Sequence, residues 1–127
     1  MGISSDKYLL DTNIVLYILN GDQDLLSFLN NQYIYISIIT EMELLSFHSI
    51  SKDEFRSLKS FLDELDVTPL DDKVKDVAIE VRKKYKLRLP DSIVAATAVV
   101  YDIPLITADK QFKAISELQL LLYDAKG

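Results

Sequence analysis

Short apolar runs alternate along the chain with longer stretches in which apolar residues recur every three or four positions. Tyr8-Leu9-Leu10, Tyr33-Ile34-Tyr35-Ile36 and Leu105-Ile106-Thr107 have the length and the β-branched or aromatic character of buried strands. Asp66 to Leu70 reads as a further short strand with Pro69 at its edge, since proline cannot donate to a ladder. Leu118 to Tyr123 adds a last strand. Helices are predicted over Ile14–Leu19, over Gln23–Asn30 and over Ile38–His48. Ser51 and Glu54 have the spacing of a capping box, and Phe55, Leu58, Leu62 and Leu65 continue that helix on one face. From Asp72 a helix carries the inner stripe Val74, Val77, Ala78, Val81 and Tyr85. The last helix, from about Asp91 to Tyr101, is apolar nearly all round and is therefore expected to be buried on most sides. Strands alternating with helices predict an α/β fold whose mainly parallel central sheet of four to five strands has helices on both faces.

Composition narrows the class. The 127 residues suit one domain spanning 1–127, with 49% hydrophobic and 27% charged residues, as in ordinary globular proteins. The absence of cysteine excludes disulfides and thiolate metal sites. The start of the chain lacks a basic segment followed by an apolar one, so no export signal is expected. The longest nearly apolar stretch, Ile93 to Tyr101, is less than half of the ~20 residues that span a bilayer, so no membrane association and a cytoplasmic location are expected. Three glycines in the whole chain exclude a glycine-rich phosphate loop. A net charge of −6 speaks against a general nucleic-acid binder. Yet five of the 14 basic residues, Arg82, Lys83, Lys84, Lys86 and Arg88, fall within seven positions. A basic last helical turn also complements the helix dipole, which is a purely structural explanation for the cluster.

The chemistry-bearing residues stand where strands end. Asp11-Thr12-Asn13 follows the first strand directly, and an acid there faces the crevice at the carboxyl edge of an α/β sheet. Asp11 or Thr12 is equally suited to capping the next helix. Asp109 follows the strand Leu105-Ile106-Thr107, while Glu43 and Asp91 lie early in helices that begin from or pack against the same edge. Taken singly these are a loop acid, a surface helix acid and a helix-start acid; together they place four carboxylates within reach of one cleft. Like charges at short range raise one another's pKa values, and divalent cations remove that conflict. Oxygen donors without cysteine, and with His48 alone as a histidine, suit Mg²⁺ or Mn²⁺ rather than zinc. One or two such ions can hold a phosphodiester and activate a water for in-line attack. Setting the four acids aside leaves 16 acidic against 14 basic residues, a net charge of −2. His48 reads as an ordinary surface or half-buried histidine.

Asp11-Thr12-Asn13, the stretch Thr40-Glu41-Met42-Glu43-Leu44, the run Leu89 to Ala98 and Leu105-Ile106-Thr107-Ala108-Asp109 occur in the order and at the spacings of the motifs of PIN-domain ribonucleases. The chain resembles the VapC-type toxins of toxin–antitoxin pairs in particular, nearly end to end. The resemblance implies a PIN-like three-layer sandwich, Mg²⁺ or Mn²⁺ in an acidic pocket, and endonucleolytic cleavage of RNA. It implies Asp11, Glu43, Asp91 and Asp109 as metal-binding acids, with Asn13 and Thr107 as supporting polar groups. It further implies a homodimer, and a small antitoxin protein whose tail occupies the site. Some relatives place another acid shortly after the last motif, where this chain has Lys110 and Gln111. On this view Lys86 and Arg88, which lead into Asp91, hold the RNA backbone. The alternatives are a PIN-like module that binds RNA or protein without cutting, and a PIN nuclease of RNA processing that is no toxin. A haloacid-dehalogenase-type phosphatase fits less well, because it wants an acid where Asn13 stands.

Overall fold

Tyr8, Leu9 and Leu10 are all buried, but they do not share a core. They belong to strand β1 (Lys7–Leu10), in which successive side chains point to opposite faces. Among the described residues, 6–47 and 50–124 of this computed structural model, there follow α1 (Thr12–Leu19), α2 (Gln23–Leu29), β2 (Tyr33–Ser37), α3 (Ile38–Leu45), α4 (Lys52–Asp63) and β3 (Asp66–Thr68). The order continues with α5 (Asp72–Tyr85), α6 (Leu89–Tyr101), β4 (Leu105–Thr107), a 3-10 turn over Lys110–Ala114, and β5 (Leu120–Leu122). Tyr8 and Leu10 pack with Ile36 and Ile106 against Ile14, Ile18, Leu25 and Leu58, which come from α1, α2 and α4. Leu9 and Leu105 pack on the other face against Val81, Val94, Ala98 and Phe112, so α5 and α6 cover that side. A slip of one residue in β1 would exchange the two sets, and burial on both faces therefore pins the register.

The sheet has five strands, all parallel, in the order β3-β2-β1-β4-β5. Leu9 lies beside Tyr35 on one side and Leu105 on the other. From β1 the chain moves outward through β2 to β3, then returns across the sheet to β4 on the opposite side of β1. The strand order thus reverses between β1 and β4, and in open parallel sheets that divide opens a crevice at the carboxyl ends. The expected helices on both faces and the parallel sheet are what the chain forms.

Local signals account for the element starts. Asp22, Ser51 and Asp71 each accept a hydrogen bond from a backbone N–H at the head of α2, α4 and α5, and the capping box of Ser51 with Glu54 is fully formed. Several predicted boundaries shift. Helix α6 begins at Leu89, two residues earlier than expected, because Pro90 lacks only an N–H that the first turn leaves unpaired anyway. Strand β3 ends at Thr68, with Pro69 outside it. Helix α3 stops at Leu45, where the Ser46 hydroxyl turns back to the Met42 carbonyl at 2.6 Å in place of a further helical turn. His48 lies outside the described residues. Among the described residues no helix is long and apolar enough to cross a membrane.

One helix end is strained. Asn31, Lys86 and Asp102 take positive φ, at 64°, 57° and 56°. Asparagine and aspartate visit that region readily, but a lysine there places Cβ against the following carbonyl at ~1–2 kcal/mol. Lys86 ends α5, where glycine is the usual choice. Lys86→Gly is therefore expected to stabilise the protein by about 1 kcal/mol, since glycine's larger unfolded-state entropy cancels part of the gain. Chemical denaturation checks this, and a loss of stability would contradict it.

Candidate active site

The reversal between β1 and β4 brings the first and last predicted acids together. Asp11 follows β1, is 8% exposed, and uses its two oxygens differently. Oδ1 accepts the backbone N–H of Thr12 at 2.9 Å and caps α1, while Oδ2 accepts the hydroxyl of Thr107 at 2.7 Å. Asp11 is thus both a helix cap and a group of the crevice. Thr107 ends β4 fully buried. Its hydroxyl oxygen also accepts the backbone N–H of Asp109 at 3.1 Å, so one side chain ties the ends of the two strands and sets the loop that carries Asp109.

Asp91 enters from the other layer. It occupies the first turn of α6, whose residues from Asp91 to Ala98 are all buried, and is itself 8% exposed. A buried carboxylate is costly without partners. Its partners are Arg88, whose Nε donates to Oδ2 at 3.2 Å, and Gln111, whose Nε2 donates to the same oxygen at 3.1 Å. The Arg88 side chain is largely exposed, so solvent weakens that pair. Gln111 Nε2 also donates to Asp109 Oδ2 at 2.6 Å, and the backbone N–H of Gln111 donates to Asp109 Oδ1 at 3.0 Å.

Glu43 reaches this group through a hydroxyl. Thr12 Oγ1 lies 2.7 Å from Glu43 Oε1 and 3.3 Å from Thr40 Oγ1. A hydroxyl carries one proton, and the shorter contact to a carboxylate takes it. Glu43 is half-buried on α3 and is held next to Asp11 by the residue that follows Asp11 in sequence.

Electrostatics join the acids more directly than contacts do. Burial pushes the Asp11 carboxyl above its ordinary value, and the charges of Asp91 and Asp109 push the same way. The hydrogen bonds from Thr107 and Thr12 oppose this without cancelling it. Among the described residues no three Asp, Glu or His side chains stand close enough, as they lie, to hold a metal ion. The carboxylates are occupied instead by Thr12, Thr107, Arg88 and Gln111. The donor chemistry fits a hard divalent cation, because the groups are all oxygens and Asp11 bears a like-charge conflict that a cation relieves.

The remaining predicted residues divide. Asn13 is exposed in the first turn of α1, and its side chain bonds neither Asp11 nor Glu43. Lys86 is exposed and pairs with none of the four acids, whereas Arg88 touches Asp91. Elsewhere in the basic run, Lys84 pairs with Glu117 at 3.4 Å. Thr12 and Gln111 escaped notice as site residues. Thr12 stands beside Asp11 in the first motif and reads there as a possible helix cap, and Gln111 stands where some relatives carry an acid. A 670 Å³ surface cavity on the flank of α5, lined by Val81, Lys84 and Glu117 among others, contains none of these acids.

The PIN domain family model matches residues 8–118, a span that includes all four acids, Thr12, Thr107 and Gln111. The chain belongs to the PIN-domain family. No curated protein matches it. Among solved structures this PIN domain is similar to a chain of a toxin–antitoxin complex from Klebsiella pneumoniae, with a TM-score of 0.80 and 25% identity over 93% of this chain and 99% of that one. It is similar to a chain of the VapBC2 complex from Rickettsia felis bound to a promoter DNA fragment, with a TM-score of 0.79 and 26% identity over 93% and 99%. A chain of VapBC-1 from nontypeable Haemophilus influenzae shares the PIN fold at 23% identity, with a TM-score of 0.76 over 91% and 97%. The VapC-type resemblance read from the motifs thus extends to the three-dimensional fold.

Proposed function

We propose that the protein is a Mg²⁺- or Mn²⁺-dependent endoribonuclease, the toxin of a toxin–antitoxin pair. The observation that carries the proposal is the convergence of Asp11, Asp91 and Asp109 at the β1/β4 divide, where Thr107 ties Asp11 to the end of β4 and Gln111 bridges Asp91 to Asp109. Membership of the PIN family and the likeness to chains of toxin–antitoxin complexes support it. Asp11, Asp91 and Asp109 would hold the ion, with Glu43 as a fourth ligand or as the group that orients a water. A bound divalent cation supplies a water of lowered pKa and stabilises the leaving oxygen during in-line attack on the phosphodiester, giving 5′-phosphate and 3′-hydroxyl ends. Thr107 keeps Asp11 pointed across the divide and Thr12 keeps Glu43 beside it, so the ligands are directed by hydroxyl donors on rigid elements. Asn13 would contribute through solvent, since it bonds none of the acids.

The antitoxin enters by the same route: the solved relatives are named as toxin–antitoxin complexes, and a small partner whose tail covers the acids would silence this one. Incubation of RNA with the purified chain, with and without EDTA and with and without the product of a neighbouring short reading frame, tests the proposal. Cleavage that needs the ion and is blocked by that product is expected. RNA binding without cleavage would favour a non-catalytic PIN module, and cleavage indifferent to any neighbouring product would favour a processing nuclease. The family homodimer is part of the proposal, and sedimentation of the isolated chain as a monomer at micromolar concentration would speak against it.

Lys86 and Arg88 would meet the RNA backbone beside Asp91. Removing two phosphate contacts from a single strand should reduce the salt dependence of binding by about 1.4 in log–log slope. Lys86→Ala combined with Arg88→Ala, measured by RNA binding in EDTA over a series of salt concentrations, is expected to show that reduction. An unchanged slope would remove these residues from the interface.

A further inference from the structure

Gln111 makes three hydrogen bonds to Asp91 and Asp109, two of the acids that the proposed function assigns to a cation. Its amide nitrogen lies 2.6 Å from Asp109 Oδ2 and 3.1 Å from Asp91 Oδ2, and its backbone N–H lies 3.0 Å from Asp109 Oδ1. One neutral NH₂ group therefore bridges two carboxylates that stem from different layers, α6 and the loop after β4. An amide has just two N–H donors on that nitrogen, and both are spent on this pair. The side chain is anchored for the task. Its backbone is the second residue of the 3-10 turn capped by Asp109, and the next residue, Phe112, is fully buried and holds the turn against the sheet. Gln111 itself is exposed, so its side chain can swing into solvent without losing apolar burial.

Resting on the metal-dependent function proposed above, we infer that Gln111 is a positioning residue that substitutes for the cation in the metal-free protein and must withdraw its amide for the ion to bind. In the free state the bridge offsets the repulsion between Asp91 and Asp109 and keeps both pointed into the divide. A cation held by Asp91 and Asp109 would compete with the amide for their oxygens, and donor hydrogens would not face it. Each contact the amide nitrogen makes would thus favour the form without the ion. By linkage, such a residue lowers metal affinity by the amount it stabilises the metal-free form. It sets a threshold of divalent-ion concentration below which the acids remain bridged.

The test is direct binding of Mn²⁺, followed by electron paramagnetic resonance of the free ion, together with thermal melting in EDTA. The wild type is compared with Gln111→Leu, which keeps the side-chain bulk without donors, and with Gln111→Ala. Both variants are expected to bind Mn²⁺ about tenfold more tightly than wild type, and to melt at lower temperature than wild type in EDTA. Mn²⁺ affinity that is unchanged or weakened in both variants overturns the inference, since the amide would then be neutral toward the ion or would help to hold it. Wild-type protein that binds no Mn²⁺ at all overturns the metal-dependent function and the inference with it. The two failures are therefore distinguishable.

Discussion

Asp91→Asn should lower RNA cleavage by at least a hundredfold while leaving the fold in place. The substitution is isosteric, and an asparagine oxygen can still accept from Arg88 Nε and Gln111 Nε2, which donate to Asp91 Oδ2 at 3.2 and 3.1 Å. Helix α6 keeps its apolar run, buried through Ala98, so the position of residue 91 does not depend on its charge. Folding free energy should change by no more than about 1 kcal/mol, because one buried charge is exchanged for a polar group with the same partners. Catalysis should suffer far more. Loss of a group that merely orients a metal ligand costs roughly 10–100-fold in metal affinity or activity, and loss of a ligand costs no less. Initial rates at saturating Mn²⁺, for wild type and variant matched by circular dichroism, measure it. A reduction of less than tenfold would remove Asp91 from the reaction.

Asp11→Asn should abolish cleavage and at the same time stabilise the metal-free protein. Burial and the charges of Asp91 and Asp109 hold the Asp11 carboxyl above its ordinary value of 3.8. A carboxyl whose folded value is raised binds its proton more tightly in the folded than in the unfolded state. Its stabilising contribution is complete below the unfolded value and is lost as pH rises through the raised one, so at neutral pH the ionised group costs stability. Asparagine removes the charge, and its oxygen can still accept from the Thr12 N–H, while the Thr107 hydroxyl oxygen can accept its amide. In EDTA at pH 7.5 the variant should gain about 1 kcal/mol, the usual scale of a single stabilising substitution. In a domain of this size that is roughly 4 °C in melting temperature. The advantage should shrink toward zero as pH falls below the unfolded value, because Asp11 is then neutral in both states. Mg²⁺ should reverse the ranking, since the wild type alone gains a ligand-bound state. Melting curves across pH, in EDTA and in Mg²⁺, read all three outcomes, and a variant less stable than wild type in EDTA at neutral pH would contradict the electrostatic account of Asp11.

The layers were legible because the two periodicities are clean. Tyr8, Leu9 and Leu10 read as a strand, and their alternation across the sheet follows from period two alone. The stripe of Val74, Ala78 and Val81 marked the buried face of α5 for the equivalent reason. Asp11 and Asp109 were legible as site candidates because each directly follows an apolar run, and a parallel sheet puts such positions on one edge. Strand order was not legible. That β1 lies between β2 and β4 is a fact of pairing across the whole chain. The hydroxyl link from Thr12 to Glu43 crosses 31 residues of sequence, and the amide bridge from Gln111 to Asp91 crosses 20. No local pattern encodes either. Gln111 is hidden further because the residue that bridges the acids is itself neutral and stands outside any pattern of charge. Lys84 shows the same limit from the other side: it read as part of a basic cluster, but Glu117, 33 residues on, takes it as a partner.

In the proposed function the carboxylates at the β1/β4 divide work as a cation-dependent nuclease centre. The most direct measurement is the rate of cleavage of a single-stranded RNA as a function of Mn²⁺ concentration after exhaustive treatment with EDTA, in wild type and Asp91→Asn at equal folded content. A wild-type rate that rises from zero and saturates with Mn²⁺, yielding 5′-phosphate ends, and a variant rate that stays at background at every concentration, are the predicted result. Cleavage that persists in EDTA and survives in Asp91→Asn would contradict the claim.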